Sequence, residues 1–558
     1  MPPDKPAVPR QGRPCLPQAG IYLKKYGPVI GLGVLIWLVF SQTVRFDFLM
    51  WDDNVHIVYN YHLQPPFWAW PKVLWIFNFD TSLRFEPGTW LGHLLICSVF
   101  TMNPGAYHFC LIVLHFINSV LVYKLCCRVP SRFPGSGVPR EALAFLASAF
   151  WAIDAVRAES MGRCTDLSYP LATLWVLSSF GLYLGSVDQG RLRRGFYLGS
   201  FAFNVLAVCT YPISLGFAFC LPFFDRIFFP SEIAQRWHWR SAGFATYWLS
   251  RMLFILPSLA VGWATIHARL NPSGSYTPYT ASVSPFNLFR LVHGVYAWAY
   301  IYLHQFWPFG LTPGHYPWPD RGFHRVYLFA FGCLAGVLAL AWKQRSAALL
   351  AVLCASVFLA WPMLGLTEEP TTPVDRYTYL PDAFSALLLA WLAGRWSSLL
   401  PPRMATRLVL GTAMVGLPLL GLQSHRQLSI WKDSYALFSY LEATPEIKSQ
   451  PVLQDIIYNL KADQLSLDGD PKAALPIREN LVHREPENCH YWYLLGVVLH
   501  SLGNDAEALQ ALHTAYSLCQ DSAVGRLIQT IQGAPSPGQA ASAGGGTGSP
   551  RDIPGHGP

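Results

Sequence analysis

Apolar stretches interrupted by short polar segments run along the chain from Gly27 to Leu422. Many of these stretches approach the roughly 20 residues with which an α-helix crosses a bilayer. The pattern predicts an all-α, polytopic membrane domain at residues 26–424 with about eleven transmembrane helices. The predicted spans are Gly27–Phe40, Tyr107–Cys127, Ala142–Ile153, Leu167–Gly185, Gly195–Tyr211, Ile213–Phe229, Gly243–Ile266, Val326–Trp342, Ala347–Leu364, Tyr379–Gly394 and Leu408–Leu422.

The composition agrees with a membrane protein. Of the 558 residues, 52% are hydrophobic and only 13% are charged, whereas a soluble domain carries about 25% charged residues. The net charge of +8 requires no nucleic-acid partner, because membrane proteins concentrate Lys and Arg in their cytoplasmic loops. The 12 cysteines show no metal-ligand spacing, and we interpret most of them as core residues. The pairing of Cys489 and Cys519, in the polar C-terminal part, is left open.

The charges in the connections between spans alternate in sign. The basic connections contain Arg128, Arg132, Arg140, Arg191, Arg193, Arg194, Arg226, Arg236, Arg240, Lys343, Arg345, Arg395, Arg403 and Arg407. The acidic connections contain Asp52, Asp53, Asp80, Glu86, Asp154, Glu159, Asp166, Glu368, Glu369 and Asp375. The positive-inside rule then predicts a cytoplasmic N-terminal tail, 1–25, which ends in Lys24 and Lys25. The first loop, 44–105, and everything after Leu422 are predicted to be extracytoplasmic. No small-residue cleavage site follows the first apolar run, so a retained span is predicted.

One apolar segment, Leu288–Trp307, does not fit this alternation. A crossing there would reverse the predicted side of every later loop. The segment carries Tyr296, Trp298, Tyr300, Tyr302 and Trp307. Such aromatic residues are typical of a helix that lies at the membrane interface or re-enters it. We favour that interpretation, and a full crossing of 288–308 stays the alternative.

The polar C-terminal part, 425–530, contains an internal repeat. The stretch Gly469–Leu475 recurs as Gly503–Leu509, and this spacing of about 34 residues is that of tetratricopeptide repeats. Copies are predicted at about 455–488 and 489–522. Two copies are fewer than usually stand alone, so they are expected to lean on the membrane domain or on Ser434–Thr444. Residues 531–558, rich in Gly, Ser and Pro, are predicted to be disordered.

No nucleophile elbow, Walker loop, HExxH motif or dinucleotide fingerprint occurs in the sequence. Four groups of charged and aromatic residues lie instead in the predicted outer loops. They are Asp52 and Asp53; Glu86 within Arg84–Trp90; Arg157, Glu159, Arg163 and Asp166; and Asp375, Arg376, Tyr377 and Tyr379. Each group alone also has a structural interpretation: a cap for a helix at 54–59, a helix start, an ion pair and an interfacial aromatic belt. Their common side of the membrane favours a shared function.

These residue types suit transfer of a group from a phosphate-linked donor. A carboxylate can act as the base towards an acceptor, and an arginine such as Arg376 can bind a phosphate in a bidentate manner. The adjacent acids Asp52 and Asp53 disfavour each other's ionisation, which indicates use rather than stability. No further metal ligands accompany the pair, so metal-independent chemistry is predicted. A divalent cation shared with phosphate oxygens stays an open alternative.

Several stretches together resemble one family. They are Trp51–Asn60, Pro87–His93, Asn103–His108, Leu114–Asn118, Val156–Ser160, Asp375–Pro381 and Trp431–Ser434, followed by the repeats. The chain is similar, over nearly its whole length, to the transmembrane and tetratricopeptide-repeat-containing proteins, which are O-mannosyltransferase-like members of the GT-C superfold. Its bacterial members are the most similar. The Asp-Arg-Tyr-Thr-Tyr-Leu-Pro string at 375–381 is a specific motif, whereas the double Asp alone is not.

The resemblance implies a bacterial inner-membrane glycosyltransferase. Such an enzyme would move a mannose-like sugar, with inversion, from a polyprenyl phosphate to an extracytoplasmic protein or polymer. By the resemblance Asp52 is the base and Asp53 its helper. The other residues of the four groups are assigned to substrate or donor binding, and the repeats to holding a protein acceptor. The sugar and the acceptor are not specified.

The chain departs from the family pattern at three places. Phe85-Glu86-Pro87 replaces Trp-His-Pro, and Asp154-Ala155 replaces His-Pro. Thr210-Tyr211-Pro212 replaces Ser-Lys-Pro, so that a lysine able to bind phosphate is missing. These changes imply a different donor or reduced activity.

Two hypotheses from other classes stay open. The first is a non-enzymatic membrane scaffold whose repeats recruit partners. The second is a transporter or flippase, against which we count the near-absence of charged residues inside the predicted spans.

Overall fold

The computed structural model describes residues 18–77, 84–129, 138–188, 191–229, 244–270, 288–308, 310–311, 325–366, 373–448 and 451–533. The described chain consists of α-helices and short helical turns, apart from one two-residue antiparallel pair in which Val187 faces Leu192. The all-α prediction is therefore confirmed. Residues 1–17 of the predicted cytoplasmic tail, Asp80 of the first loop and residues 534–558 of the predicted disordered tail lie outside the described residues.

The apolar part of the chain forms sixteen described helices and the strand pair. They are α1 Gln18–Phe40, α2 Trp70–Trp75, α3 Pro87–Phe100, α4 Pro104–Cys126, α5 Arg140–Ile153, α6 Ala158–Gly162, α7 Ser168–Ser186, β1 Val187–Asp188, β2 Arg191–Leu192, α8 Arg194–Val208, α9 Phe217–Phe228, α10 Phe244–Leu270, α11 Leu288–Leu303, α12 Arg325–Lys343, α13 Ala347–Ala360, α14 Tyr379–Ser397, α15 Pro402–Gly411 and α16 Leu417–Leu428. The polar part continues with α17 Ser434–Ala443, α18 Pro445–Lys448, α19 Pro451–Leu467, α20 Pro471–Arg484, α21 Cys489–Ser501, α22 Asp505–Cys519 and α23 Ser522–Gly533.

Local sequence explains where several helices begin. The side chain of Asn103 accepts a hydrogen bond from the amide of Ala106 at 3.1 Å, and Pro104 follows at the first helical position of α4. Asp433 caps α17 in the same way through the amide of Ala436, at 2.8 Å. Such caps satisfy amides that have no partner inside the helix, and proline suits the first turn because its missing N–H is not needed there.

Five described helical segments are long and apolar enough to cross a membrane. They are Tyr26–Arg45, Pro104–Cys126, Cys164–Ser186, Ala245–Ala268 and Pro402–Trp431, and shorter apolar helices occur at Pro87–Phe100, Tyr327–Lys343 and Ala347–Met363. These segments indicate a membrane protein. The five coincide with predicted spans, and the other six predicted spans also fall on helices. A count of about eleven crossings stays a prediction.

The hydrophobic core of the apolar part extends into the C-terminal part. Leu437 and Phe438 of α17 and Ile457 of α19 belong to the same buried cluster as Leu32 of α1. Later helices pack among themselves, for example through Leu481 of α20 and other buried residues of α21 and α22. The first C-terminal helices are therefore seated on the apolar bundle, as the small number of predicted repeats led us to expect.

The repeated stretches adopt the same backbone turn. Gly469, between α19 and α20, has φ +81°, and Gly503, between α21 and α22, has φ +80°. Glycine suits this left-handed conformation because it lacks a Cβ. Cys489 and Cys519 form a disulfide that links the start of α21 to the end of α22. The pairing left open by the sequence is thereby assigned, and the described C-terminal part has a repeat-like arrangement of helix pairs.

Helix α11 corresponds to the segment that did not fit the loop charges. It is absent from the five candidate spans. Its aromatic residues contact neighbouring helical elements: Trp298 Nε1 donates to Ser356 Oγ at 3.0 Å, and Tyr302 Oη donates to the carbonyl of Ser356 at 2.8 Å. The hydroxyl of Tyr300 donates to Asp375 at 2.6 Å. Both tyrosines thus bind neighbouring elements, and whether α11 crosses the membrane or lies at its interface stays untested.

A buried ion pair joins α9 to α10 inside the helical bundle. Asp225 of α9 accepts hydrogen bonds from Arg251 Nη2 at 2.6 Å, within the candidate span Ala245–Ala268. The hydroxyls of Tyr183 and Tyr247 each donate to the same carboxylate at 2.7 Å. The predicted spans therefore carry more charged residues than the sequence analysis assumed. A buried pair with this many hydrogen bonds suits a structural role.

Helix α9 approaches α13 too closely for any residue larger than glycine at position 216. A Cβ there would lie 1.8 Å from the carbonyl oxygen of Phe358, so Gly216→Ala must displace backbone. We expect a loss of about 1–3 kcal/mol, measured as a lower thermal midpoint of the detergent-solubilised protein. Gly332→Ala in α12, where the Cβ meets nothing within 4 Å, is the matched control. Equal midpoints for the two variants would contradict this packing.

Candidate functional site

Asp53 fastens the first loop to the turn Cys164–Leu167 that precedes α7. Its side chain is buried, and Oδ1 accepts hydrogen bonds from the amide and the hydroxyl of Thr165, both at 2.8 Å. Oδ2 accepts from the amides of Leu49 at 3.2 Å and Cys164 at 3.4 Å. The following residues, Asn54–Val58, form one π-helical turn that Asp53 does not cap through its side chain. The capping interpretation is therefore wrong for this carboxylate.

Asp52 lies beside it but faces outwards. Its carboxylate pairs with the guanidinium of Arg163 and remains 40% exposed, whereas the arginine side chain is 2% exposed. Arg163 Nη1 also donates to Glu159 Oε1 at 3.1 Å and lies 3.9 Å from Asp166 Oδ1. One guanidinium thus joins three acidic side chains. Only Asp52 among these acids is substantially accessible.

Glu159 extends this network to the turn Asp375–Thr378. Its Oε1 accepts from the guanidiniums of Arg163 and Arg376, and its Oε2 accepts from the backbone amide of Arg376 at 2.9 Å. Asp52, Arg163, Glu159 and Arg376 therefore form a chain of alternating charge, hereafter the charge chain. The last three side chains are buried. The sequence led us to expect Arg376 at an open entrance. In the structure its guanidinium instead binds Glu159 inside the protein.

Arg157 and Asp375 have partners outside the charge chain. Arg157 Nη2 pairs with Asp382 and donates to Thr378 Oγ1 at 2.5 Å. Asp375 accepts from Tyr300 and lies 3.7 Å from His304 Nε2. The structure thus separates residues that the sequence had placed in common groups. Arg163, Glu159 and Arg376 join Asp52, whereas Arg157 and Asp375 have their own partners.

Two tyrosines of the same stretch have different surroundings. The hydroxyl of Tyr379 lies 2.7 Å from His115 Nδ1 and accepts from Asn118 at 3.4 Å, in the core of the bundle. Tyr377 is partly buried, and the guanidinium of Arg376 lies 5.5 Å from its ring centre. Tyr379 is therefore a core residue, whereas Tyr377 reaches a cavity described below.

The C-terminal part closes over the charge chain. Trp431 is buried, and the guanidinium of Arg163 lies 5.9 Å from its ring centre. Gly162 allows this approach, since a Cβ there would lie 2.5 Å from Trp431 Cβ. The amide of Met50 donates to Ser434 Oγ at 2.9 Å, so the first loop and the start of α17 are joined directly.

A cavity of about 310 Å³ opens beside Tyr377, the residue that follows Arg376 of the charge chain. Arg84, Tyr211 and Tyr377 contribute to its lining, together with apolar residues of α10. Arg84 Nη1 donates to Tyr211 Oη at 3.2 Å, and that hydroxyl lies 3.2 Å from Tyr169 Oη. Arg84 and Tyr211 are not among the site residues predicted from the sequence. The signals were present, because Arg84 adjoins the candidate Glu86 and Tyr211 stands where the family pattern has lysine.

Glu86 lies buried at the start of α3, close to the same turn. Gly88 donates its amide to the carbonyl of Cys209 at 2.9 Å, and Thr89 Oγ1 donates to the carbonyl of Thr210 at 2.7 Å. The start of α3 is thereby held against the residues that precede Tyr211.

Burial governs the titration of the loop residues. Burial raises the pKa of Asp53, although the charge of Arg163 lowers it in part. It raises the pKa of Asp375 well above its ordinary value, reinforced by the charge of Glu159. Burial also lowers the pKa of His56, while Asp52 raises it and Arg84 lowers it further.

The described residues contain no group of three or more His, Cys, Asp or Glu side chains arranged to hold a metal ion. Comparisons with protein-family models, with curated proteins and with solved structures give no match for this chain.

Removing one member of the charge chain should be costly, because buried charges are left without a partner. For Glu159→Ala, which deprives Arg163 and Arg376 of their shared carboxylate, we expect a loss of about 3–5 kcal/mol. The measurement is denaturant unfolding in detergent. Glu141→Ala removes an ion pair in which both side chains are at least half exposed and should cost no more than about 1 kcal/mol. Similar losses of unfolding free energy in the two variants would contradict the burial of the charge chain.

Asp154 should make stability depend on pH. Burial raises its pKa from 3.8 to about 7, although Arg157 acts in the opposite direction. Between these values the folded protein retains a proton that the unfolded chain has lost, so stability falls as pH rises. In Asp154→Asn this contribution is absent. The thermal midpoint of the variant relative to the parent should therefore increase from pH 4 to about pH 7; a constant difference would contradict the assignment.

Proposed function

We propose that this chain is a membrane glycosyltransferase that moves a mannose-like sugar from a polyprenyl phosphate to an extracytoplasmic protein or polymer. The observation that carries the proposal is the environment of Asp52. Its carboxylate is accessible, yet it is held by a buried arginine. An accessible carboxylate with a fixed orientation suits a general base. The family resemblance provides the reaction class and adds support.

The reaction breaks one bond and forms another at the same sugar carbon. The acceptor hydroxyl oxygen bonds to C1 of the sugar, and its proton passes to the carboxylate of Asp52. The bond between C1 and the phosphate oxygen breaks, and its electron pair leaves with the polyprenyl phosphate. Attack from the opposite face inverts C1. A guanidinium beside the departing phosphate stabilises the negative charge that develops there.

The other members of the charge chain are assigned to positioning. Arg163 orients Asp52, and Glu159 together with Trp431 holds Arg163. Asp53 binds three backbone amides and one hydroxyl, so it fixes the loop that carries the base. This division agrees with the assignment of Asp52 as base and Asp53 as helper.

Two observations support an extracytoplasmic site, whereas the proposed count of about eleven spans comes from the loop charges alone. The disulfide between Cys489 and Cys519 favours an oxidising compartment for the C-terminal part. The contact between Met50 and Ser434 joins this part to the loop that carries Asp52. We further infer that α19–α20 and α21–α22 are two tetratricopeptide repeats, which would hold a protein acceptor on this face.

The proposal is tested with the full chain in lipid nanodiscs, supplied with polyprenyl-phosphate mannose and an acceptor protein mixture. Asp52→Asn should lower the rate of transfer by about 100-fold to 10,000-fold, because the base is lost. Asp47→Asn changes an exposed carboxylate of the same loop and should retain the parental rate. Thermal midpoints of both variants show whether they remain folded.

Transfer by Asp52→Asn at the parental rate would remove this residue from the mechanism. If the parent protein transfers no sugar but its C-terminal part binds a partner protein, the scaffold hypothesis replaces the enzymatic one. Movement of the lipid across the bilayer without transfer would instead support a flippase.

A further inference from the structure

The cavity near the charge chain combines an apolar lining with a single described charge. It lies between α10, the turn Trp361–Met363 after α13 and the turn Pro212–Ser214 before α9. Leu215, Leu259 and Met363 contribute apolar surface, and Arg84 is the charged side chain among the described lining residues. A cavity with this lining suits an amphiphile that has an anionic head and an apolar tail.

The cavity is continuous with the apolar outer surface of α10. Trp263 and Leu259 belong to its lining and are also 68% and 52% exposed. Both residues lie in the candidate span Ala245–Ala268, whose exposed side chains would face lipid. A lipid tail can therefore enter the cavity sideways from the bilayer without passing through water.

Tyr211 helps to hold Arg84 at the cavity. Its guanidinium lies 5.7 Å from the ring centre of Tyr211 and donates to the hydroxyl of that residue at 3.2 Å. Planar guanidinium groups bind phosphate through paired N–H donors. Arg376 differs, because it gives both its guanidinium and its backbone amide to Glu159. The two arginines thus have separate tasks, one towards the cavity and one within the charge chain.

We propose that this cavity binds the polyprenyl phosphate, with its first isoprene units against α10 and its phosphate at Arg84. The inference rests on the proposed function and deepens it by assigning the phosphate to Arg84 instead of Arg376. Tyr377, which lines the cavity, directly follows Arg376 of the charge chain, so a phosphate at Arg84 lies on the side of the chain whose exposed end is Asp52. In this proposal the sugar lies between the phosphate at Arg84 and the exposed carboxylate of Asp52.

Two variants separate recognition of the head from recognition of the tail. Arg84→Gln removes the cation. Gly262→Leu fills the cavity, since Gly262 lines it and a Cβ there meets only Leu215, at 3.9 Å. Arg345→Gln is the control, because Arg345 lines another apolar surface cavity beside Trp342. The full chain is placed in phosphatidylcholine nanodiscs, and binding of a diazirine-labelled polyprenyl phosphate and of the matching polyprenol is measured by photo-crosslinking.

Arg84→Gln should weaken binding of the phosphate about tenfold to a hundredfold, the effect of losing charged hydrogen bonds, and leave binding of the polyprenol unchanged. Gly262→Leu should weaken binding of both, and Arg345→Gln of neither. In the parent, crosslinked peptides should come from α10. Competition by phosphatidylglycerol equal to that by unlabelled polyprenyl phosphate would overturn the proposal, since the cavity would then be a general lipid site.

The same preparation distinguishes the two proposals. Asp52→Asn should bind the polyprenyl phosphate as the parent does and fail only in transfer. Transfer that depends on Asp52 but is indifferent to Arg84→Gln and Gly262→Leu would overturn the cavity assignment alone. Selective binding at Arg84 without any transfer by the parent would overturn the proposed function alone.

Discussion

The arrangement of the candidate site depends on the buried charge chain from Asp52 to Arg376. A charge that is removed from water is costly unless partners surround it, and here each inner member has an oppositely charged neighbour on both sides or a backbone donor. Arg163 binds Asp52 and Glu159, and Glu159 binds the guanidinium and amide of Arg376. Because these residues come from three distant parts of the sequence, the charges fix how the first loop, α6 and the turn before α14 meet.

The chain of charges also explains why the C-terminal part is not a separate attachment. Trp431 covers Arg163, Gly162 makes room for the indole, and Ser434 binds the loop beside Asp52. Loss of this cover would admit water to Arg163 and loosen its hold on the exposed carboxylate. A displacement of the beginning of α17 would therefore affect Asp52 by two routes. One is the contact of Trp431 with Arg163, and the other is the hydrogen bond of Ser434 with Met50. Within the account proposed above, acceptor binding to the helix pairs and base positioning are mechanically linked.

Periodicity predicted the helices, and the loop charges placed the four groups of candidate site residues on one side of the membrane. Neither predicted the contacts among those residues. The positions of Asp53 and Glu159 in polar stretches were evident, whereas hydrogen bonds from Thr165 and Arg376 depend on tertiary packing. Arg376 was expected at an entrance because a lone arginine among tyrosines suits phosphate. Its neighbour Glu159 is more than two hundred positions away, and no local pattern reveals that pairing. Arg84 stood within the predicted group at 84–90, but its place in a cavity could not be predicted, since that cavity is formed by α10 and two remote turns.

The most direct test of this account is a cryo-electron microscopy structure of the full chain in nanodiscs with a non-transferable polyprenyl-phosphate sugar analogue. The account predicts density for the tail along α10, the phosphate at Arg84, and C1 of the sugar between that phosphate and the carboxylate of Asp52. Arg376 should remain bound to Glu159. A phosphate that instead breaks the contact between Arg376 and Glu159, or a sugar bound away from Asp52, would contradict it.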